Sequence, residues 1–226
     1  ILENQKMLNL LRDAIKNEDI IRYKQKIKGV FKDIEQFEVL VRLKDENNNI
    51  IPPFKFISLA EQRGDIIDLD KLIIKKTFEK LNKEKNNIHC SINLSGKTLT
   101  ELNLNTYIEN LINEYDIKPK RITFEVTETY AVQNIEVATN FIHWARRMGF
   151  QFALDDFGQG VSSFSYLQRL PINKLKIDGS FIKDIESNDK NKMFVKTMIE
   201  LSHQMEMDCV AEFVENESII KILKEL

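Results

Sequence analysis

The chain has 226 residues, 42% of them hydrophobic and 30% charged, with a formal net charge of −2. That length and apolar content support a sizeable core and suit one domain of α/β-barrel size. The small charge excludes the basic surplus of a binder of nucleic-acid polymers or anionic membranes, and no apolar run approaches the ~18 residues of a membrane span.

Residues 2–17 have the pattern of a helix, and 1–18 are assigned to an N-terminal segment continuing a linker from an upstream domain. Residues 20–27 alternate as a strand, and 37–43 form a second. The short connection around Gly29 predicts that these two pair antiparallel. Residues 53–61 form a helix with proline near its start, stopped at Gly64, and 69–81 form another. Asn47-Asn48-Asn49 is a loop tip, and 82–87 a polar turn. Strand and helix then alternate: strands at 88–94, 121–127, 150–155, 174–177 and 209–211, with helices at 106–115, 135–148, 163–169, 190–205 and 217–226. Repeated strand–helix units predict a largely parallel sheet covered on both faces. The count is seven strands, one short of a closed (β/α)8 barrel, so residues 19–226 are expected to form a barrel domain whose last strand is missing from this chain.

The two cysteines, Cys90 and Cys209, have no CxxC spacing and are expected to be buried, reduced thiols, which suits a cytoplasmic protein. His89, His143 and His203 are scattered, and the latter two fall on helices as surface or packing residues.

Polar side chains stand near the strand ends: Glu38, Asn93, Glu125, Asp155 with Asp156, Lys176, and Glu212. Each has a plain explanation alone. Glu38 could face solvent by alternation, Asn93 could cap a helix, and Lys176 could be an exposed strand position. In a (β/α)8 barrel, however, the carboxyl ends of all strands surround one mouth. Adjacent carboxylates such as Asp155 and Asp156 repel unless a cation or proton offsets them. Oxygen ligands without His or Cys clusters favour Mg²⁺ or Mn²⁺ over zinc. Two such ions about 3.5–4 Å apart would suit in-line attack on phosphorus, with Asp155 as the bridge.

The sequence resembles the EAL domains, bacterial phosphodiesterases of cyclic di-GMP. The resemblance rests on Glu38-Val-Leu within Phe37–Arg42, Phe56-Ile-Ser-Leu-Ala-Glu61, Asn93-Leu-Ser95, Glu125-Val-Thr-Glu128 and Asp155-Asp-Phe-Gly-Gln-Gly-Val-Ser-Ser163. Tyr166-Leu, Leu170-Pro171, Leu175-Lys-Ile-Asp178, Ser180-Phe181 and Ala211-Glu-Phe-Val-Glu215 complete it. It implies a modified TIM-type barrel with an antiparallel first strand. It also implies two metal ions, Mg²⁺ or Mn²⁺: Glu38, Asn93, Glu125 and Asp155 on one, Asp155 and Asp156 on the other. Lys176 would orient or help deprotonate the attacking water, with Glu212 supporting the same region and Glu38 at the catalytic centre. Gln25, Arg42 and Leu40 match substrate-holding positions, and Glu128 the glutamate that anchors the loop after Asp156. The product would be linear pGpG. A homodimer formed by the helices after the fifth and sixth strands, with loop 157–163 linking the dimer contact to the metals, is a further implication. So is an upstream sensory or GGDEF-type domain.

The chain departs from the family pattern at several points. Val39 replaces alanine, Gln159-Gly-Val161 replaces Thr-Gly-Tyr, Phe213 replaces glycine beside Glu212, and Lys26 replaces proline. Phe213 and the altered loop residues motivate an alternative to the phosphodiesterase, a cyclic di-GMP receptor without hydrolysis; a third reading is a protein-interaction scaffold that binds no nucleotide.

Overall fold

The computed structural model describes residues 2–30, 35–84, 88–160 and 164–226. It divides into two compact units, Ile1–Thr123 and Phe124–Leu226.

In the first unit, helix α1 (Leu2–Lys16) precedes strands β1 (Ile21–Ile27) and β2 (Gln36–Lys44). The short strand β3 (Ile50–Ile51) folds back on β2, and a 3₁₀ turn at Pro53–Lys55 leads into α2 (Ile57–Arg63) and α3 (Ile66–Asn82). Strand β4 (His89–Asn93) and helices α4 (Gly96–Leu99) and α5 (Leu104–Tyr115) follow, before β5 (Ile122–Thr127), whose second residue ends the unit. β1 and β2 are antiparallel in continuous register from Ile21 opposite Arg42 to Ile27 opposite Gln36, whereas β2 and β4 are parallel. The antiparallel first strand is thus borne out. The connection that predicts it falls partly on 31–34, outside the described residues, as do 85–87 of the polar turn.

β2 alternates strictly, burying Phe37, Val39, Val41 and Leu43 on one face. Helix α3 buries Leu69, Ile73, Ile74, Phe78 and Leu81 along one stripe. It also buries a carboxylate: Asp70 Oδ2 accepts from Ser95 N at 2.8 Å and Thr98 Oγ1 at 2.7 Å, tying α3 to the start of α4. Burial pushes the Asp70 carboxyl up to about 6, against the pull of those hydrogen bonds.

The second unit continues from β5 through α6 (Glu128–Gln133) and α7 (Ile135–Met148) to β6 (Gln151–Phe157). A 3₁₀ segment at Phe164–Gln168 precedes β7 (Lys174–Ile177) and α8 (Gly179–Ile182), then α9 (Asp189–Gln204), β8 (Asp208–Ala211) and α10 (Glu217–Glu225). β6, β7 and β8 are successive parallel neighbours. β7 is buried along its whole length, and β6 over most of it, as expected of strands covered on both faces. Phe124, Phe141, Trp144, Phe150 and Phe152 form an aromatic cluster between β5, α7 and β6, with ring centroids 4.9–6.1 Å apart.

The α/β class therefore holds, with two corrections of detail. Eight strands stand among the described residues rather than seven, because β3 adds a two-residue hairpin partner to β2. Cys90 is buried as expected, but Cys209 is only partly so; both are free thiols. No helix among the described residues is long and apolar enough to cross a membrane.

Candidate metal centre

The first unit assembles a polar face on the hairpin. Glu38 is the third residue of β2 rather than a strand-end residue, because β2 runs on to Lys44 against β1 and β3. Asn93 closes β4, and its Nδ2 donates to Glu38 Oε1 at 2.7 Å. Alternation puts Glu38, Leu40 and Arg42 together on the face of β2 opposite Val39 and Val41. Gln25 pairs with Glu38 across the hairpin, and Tyr23 with Leu40. The Arg42 guanidinium stands 5.2 Å from the Tyr23 ring centroid, with Nη1 donating to Val41 O at 2.8 Å. The five candidate residues of this unit thus lie on adjoining strands.

In the second unit the acidic pair owes its geometry to a break in the sheet. Leu154 pairs with Leu175 and Phe157 with Ile177, so β6 takes three steps where β7 takes two. The extra residue is a bulge at Asp155-Asp156. Asp156 adopts a φ of +55°, a left-handed conformation that aspartate tolerates better than most residues. Asp155 Oδ1 accepts from Asp156 N at 2.9 Å. In a regular strand, neighbouring side chains point to opposite faces. The bulge cancels that alternation, and carboxylate oxygens of Asp155, Asp156 and Glu212 come within 4.8 Å of one another.

Lys176, 2% exposed, stands at the centre. Its Nζ is 2.7 Å from Glu125 Oε2, 3.0 Å from Asp155 Oδ1 and 3.0 Å from Glu212 Oε1. Three carboxylates thus surround the Lys176 ammonium, and Asp156 adds a fourth to the same cluster. Such a surplus of acid groups in a largely buried site is costly without further positive charge or protons. The donors are all oxygen, with no His or Cys among them, and this chemistry fits a hard divalent cation.

Glu128 begins α6 and is 1% exposed. Its Oε2 accepts from Gly158 N at 2.9 Å, and its Oε1 accepts from the Tyr166 hydroxyl. Burial, reinforced by Glu128, raises the Tyr166 phenol well above its ordinary value. Gly158 has a φ of +104°, and a Cβ there would lie 2.6 Å from Met198 Cε and 2.7 Å from Phe181 Cε2. The loop start is therefore tightly held. Gln159 Nε2 adds a 2.6 Å bond to Asp178 Oδ2. Burial alone would raise the Asp178 carboxyl, but hydrogen bonds from Ser180, Gln159 and Gly179 hold it below its ordinary value. The remainder of the loop, 161–163, lies outside the described residues.

Sequence reasoning missed Tyr166, Gln159 and Asp178 as supports of this loop. Tyr166 is separated from Glu128 by 38 positions, and nothing in residue type or periodicity links the two.

The EAL domain family model matches residues 8–226. The cyclic di-GMP phosphodiesterase PdeB of Shewanella oneidensis is 37% identical over 95% of this chain and 26% of its own length. The cyclic di-GMP phosphodiesterase PdeA of Borreliella burgdorferi is 35% identical over 100% of this chain and 34% of its own. The chain thus spans about a quarter to a third of these relatives. Among solved structures, the PaMucR phosphodiesterase in complex with c-di-GMP superposes with a TM-score of 0.90 at 25% identity, covering 97% of this chain and 91% of that one. That likeness bears out the fold class read from the sequence.

Proposed function

The chain belongs to the EAL domain family, and from that membership we propose that it is a metal-dependent phosphodiesterase that opens cyclic di-GMP to linear pGpG. The observation that carries the proposal is the buried Lys176 ammonium among Glu125, Asp155 and Glu212, with Asp156 turned into the same cluster by the β6 bulge. Acid groups gathered against their mutual repulsion at strand ends are the kind of arrangement that functional sites use.

Within the proposal, Glu125, Asp155 and Asp156 of the second unit hold Mg²⁺ or Mn²⁺. Glu38 and Asn93 of the first unit join the ligand set on the assignment that the resemblance implies. When bound, the cations would acidify water and offset the charge that builds on phosphate oxygens. The protein's own groups do the rest. Lys176 Nζ orients the attacking water and favours its deprotonated form. Glu212, 3.0 Å away, keeps Nζ in place. Water adds to one phosphorus and the bond to the 3′ oxygen breaks, which leaves the 5′ phosphate of pGpG. Arg42, Gln25 and Leu40, on adjoining strands of the hairpin, bind the substrate. The relatives carry this domain as a quarter to a third of their length, which supports a further sensory or GGDEF-type domain as partner. A homodimer completes the proposed assembly.

A receptor without hydrolysis is the second reading, favoured by Phe213 beside Glu212. The full-length protein and its Glu38→Ala variant separate the two. The phosphodiesterase yields pGpG that the variant does not, whereas a receptor binds cyclic di-GMP in the presence of Mn²⁺ and returns it intact.

A further inference from the structure

Phe213, the residue after Glu212, combines two costly features. Its φ is +53°, a left-handed backbone unfavourable for a bulky side chain, and the residue is 53% exposed. A compensating contact lies on the neighbouring turn. A Cβ added to Gly179 would lie 2.0 Å from Phe213 Cδ2 and 2.6 Å from Cγ, so the ring rests directly on the Gly179 backbone, and any side chain there would evict it. Lys183 Nζ stands 4.3 Å from the ring centroid, a cation–π contact. Gly179 opens α8 next to Asp178, which caps that helix through Ser180 N at 2.9 Å and receives Gln159 Nε2. The turn under the ring is thereby fixed from two sides.

Glu212 itself stands where the ladder between β7 and β8 runs out. Its N donates to Ile177 O at 3.3 Å, one residue beyond the last β7–β8 rung at Ala211. Its side chain is 21% exposed while reaching Lys176 Nζ at 3.0 Å. The backbone carrying this carboxylate is flanked by the Ile177 hydrogen bond on the strand side and by the Phe213 ring on the other.

We propose that Phe213 is a positioning residue, a clamp onto Gly179 that keeps the Glu212 carboxylate against Lys176. The proposal rests on the phosphodiesterase reading for its effect on rate, while the clamp itself is measurable without turnover. A ring that only covers surface would leave the Glu212 backbone unaffected when removed.

A double-mutant cycle in the full-length protein tests this, with Phe213→Gly, Gly179→Ala, the pair together, and Phe213→Tyr. Glycine suits the left-handed backbone, so Phe213→Gly is expected to fold. The clamp predicts that Phe213→Gly lowers kcat for cyclic di-GMP with Mn²⁺ about tenfold, with KM within about twofold, because a displaced catalytic group mainly affects the reacting state. Amide hydrogen exchange across 211–215 should quicken about tenfold. Phe213→Tyr should restore both. Gly179→Ala should reproduce the loss in the wild-type background and add nothing once the ring is gone. Wild-type exchange and kcat in Phe213→Gly, or effects that multiply independently, would overturn the clamp. If the wild type turns over no substrate, the phosphodiesterase reading fails by itself. The exchange cycle then decides: non-additive quickening supports the clamp and independent effects overturn it.

Discussion

Lys176 and Asp70 show two ways in which a buried charge can be held. Lys176 is surrounded by partners: Glu125, Asp155 and Glu212 lie within 3.0 Å of its Nζ. Replacing it with methionine removes the ammonium that these three acids share and keeps most of the volume. Lys176→Met is expected to lower kcat by about 10²–10³ while cation binding, measured by calorimetry, persists, because its ligands remain. Asp70 is instead held by hydrogen bonds from Ser95 and Thr98, while burial disfavours its charged form. Its folded carboxyl titrates at about 6 against 3.8 unfolded, so the folded state holds the proton more tightly. The resulting stability is full below about pH 4 and is lost as pH rises through about 6. Asp70→Asn should flatten that dependence, a difference on the order of 3 kcal/mol between the two profiles in urea denaturation at pH 3.5 and 7. Polar residues at strand ends were legible from residue type and position, which is why Glu125, Asp155, Lys176 and Glu212 could be named from the sequence. The bulge was not, because a one-residue slip between β6 and β7 leaves no mark on the apolar pattern of Phe152-Ala153-Leu154. The residue type of Phe213 does not announce its left-handed φ either; the one signal is the family glycine that it replaces.

At the scale of elements, the α6–β6 junction is held together by a buried carboxylate. Glu128 joins the N-terminus of α6 to Gly158 at the end of β6 and to Tyr166 in the 3₁₀ segment. Glu128→Ala removes both acceptors and leaves the Gly158 N–H and the Tyr166 hydroxyl to find others. It is expected to destabilise the protein by about 1–3 kcal/mol and to quicken amide exchange at Gly158. Equal metal affinity and equal rate in this variant would count against a role for the loop in catalysis. Gly158→Ala should cost a similar ~1–3 kcal/mol, since the new methyl meets Met198 and Phe181 on a backbone that favours glycine. The long elements were legible: α7 ends where Gly149 follows Met148, and α3, α9 and α10 follow their apolar periodicity. The short ones were not. β3 has two residues and α8 four, too few for a period of 2 or 3.6 to be counted. α6 has six residues, again too few for its period to stand out.

At the scale of the whole molecule, each unit carries part of the proposed chemistry: a substrate-holding hairpin with Glu38 and Asn93 in the first, and the carboxylate cluster around Lys176 in the second. The carboxylates repel one another without cations, so metal should stabilise the folded protein as well as drive turnover. Saturating Mn²⁺ at 100 times its dissociation constant should add about 2.7 kcal/mol, read as a raised unfolding midpoint that EDTA reverses. The most direct measurement of the central claim is chromatographic analysis of cyclic di-GMP incubated with the full-length protein and Mg²⁺ or Mn²⁺, with and without EDTA. The account predicts accumulation of pGpG that EDTA abolishes. Intact cyclic di-GMP recovered from a protein that calorimetry shows to be loaded with the cation would contradict it.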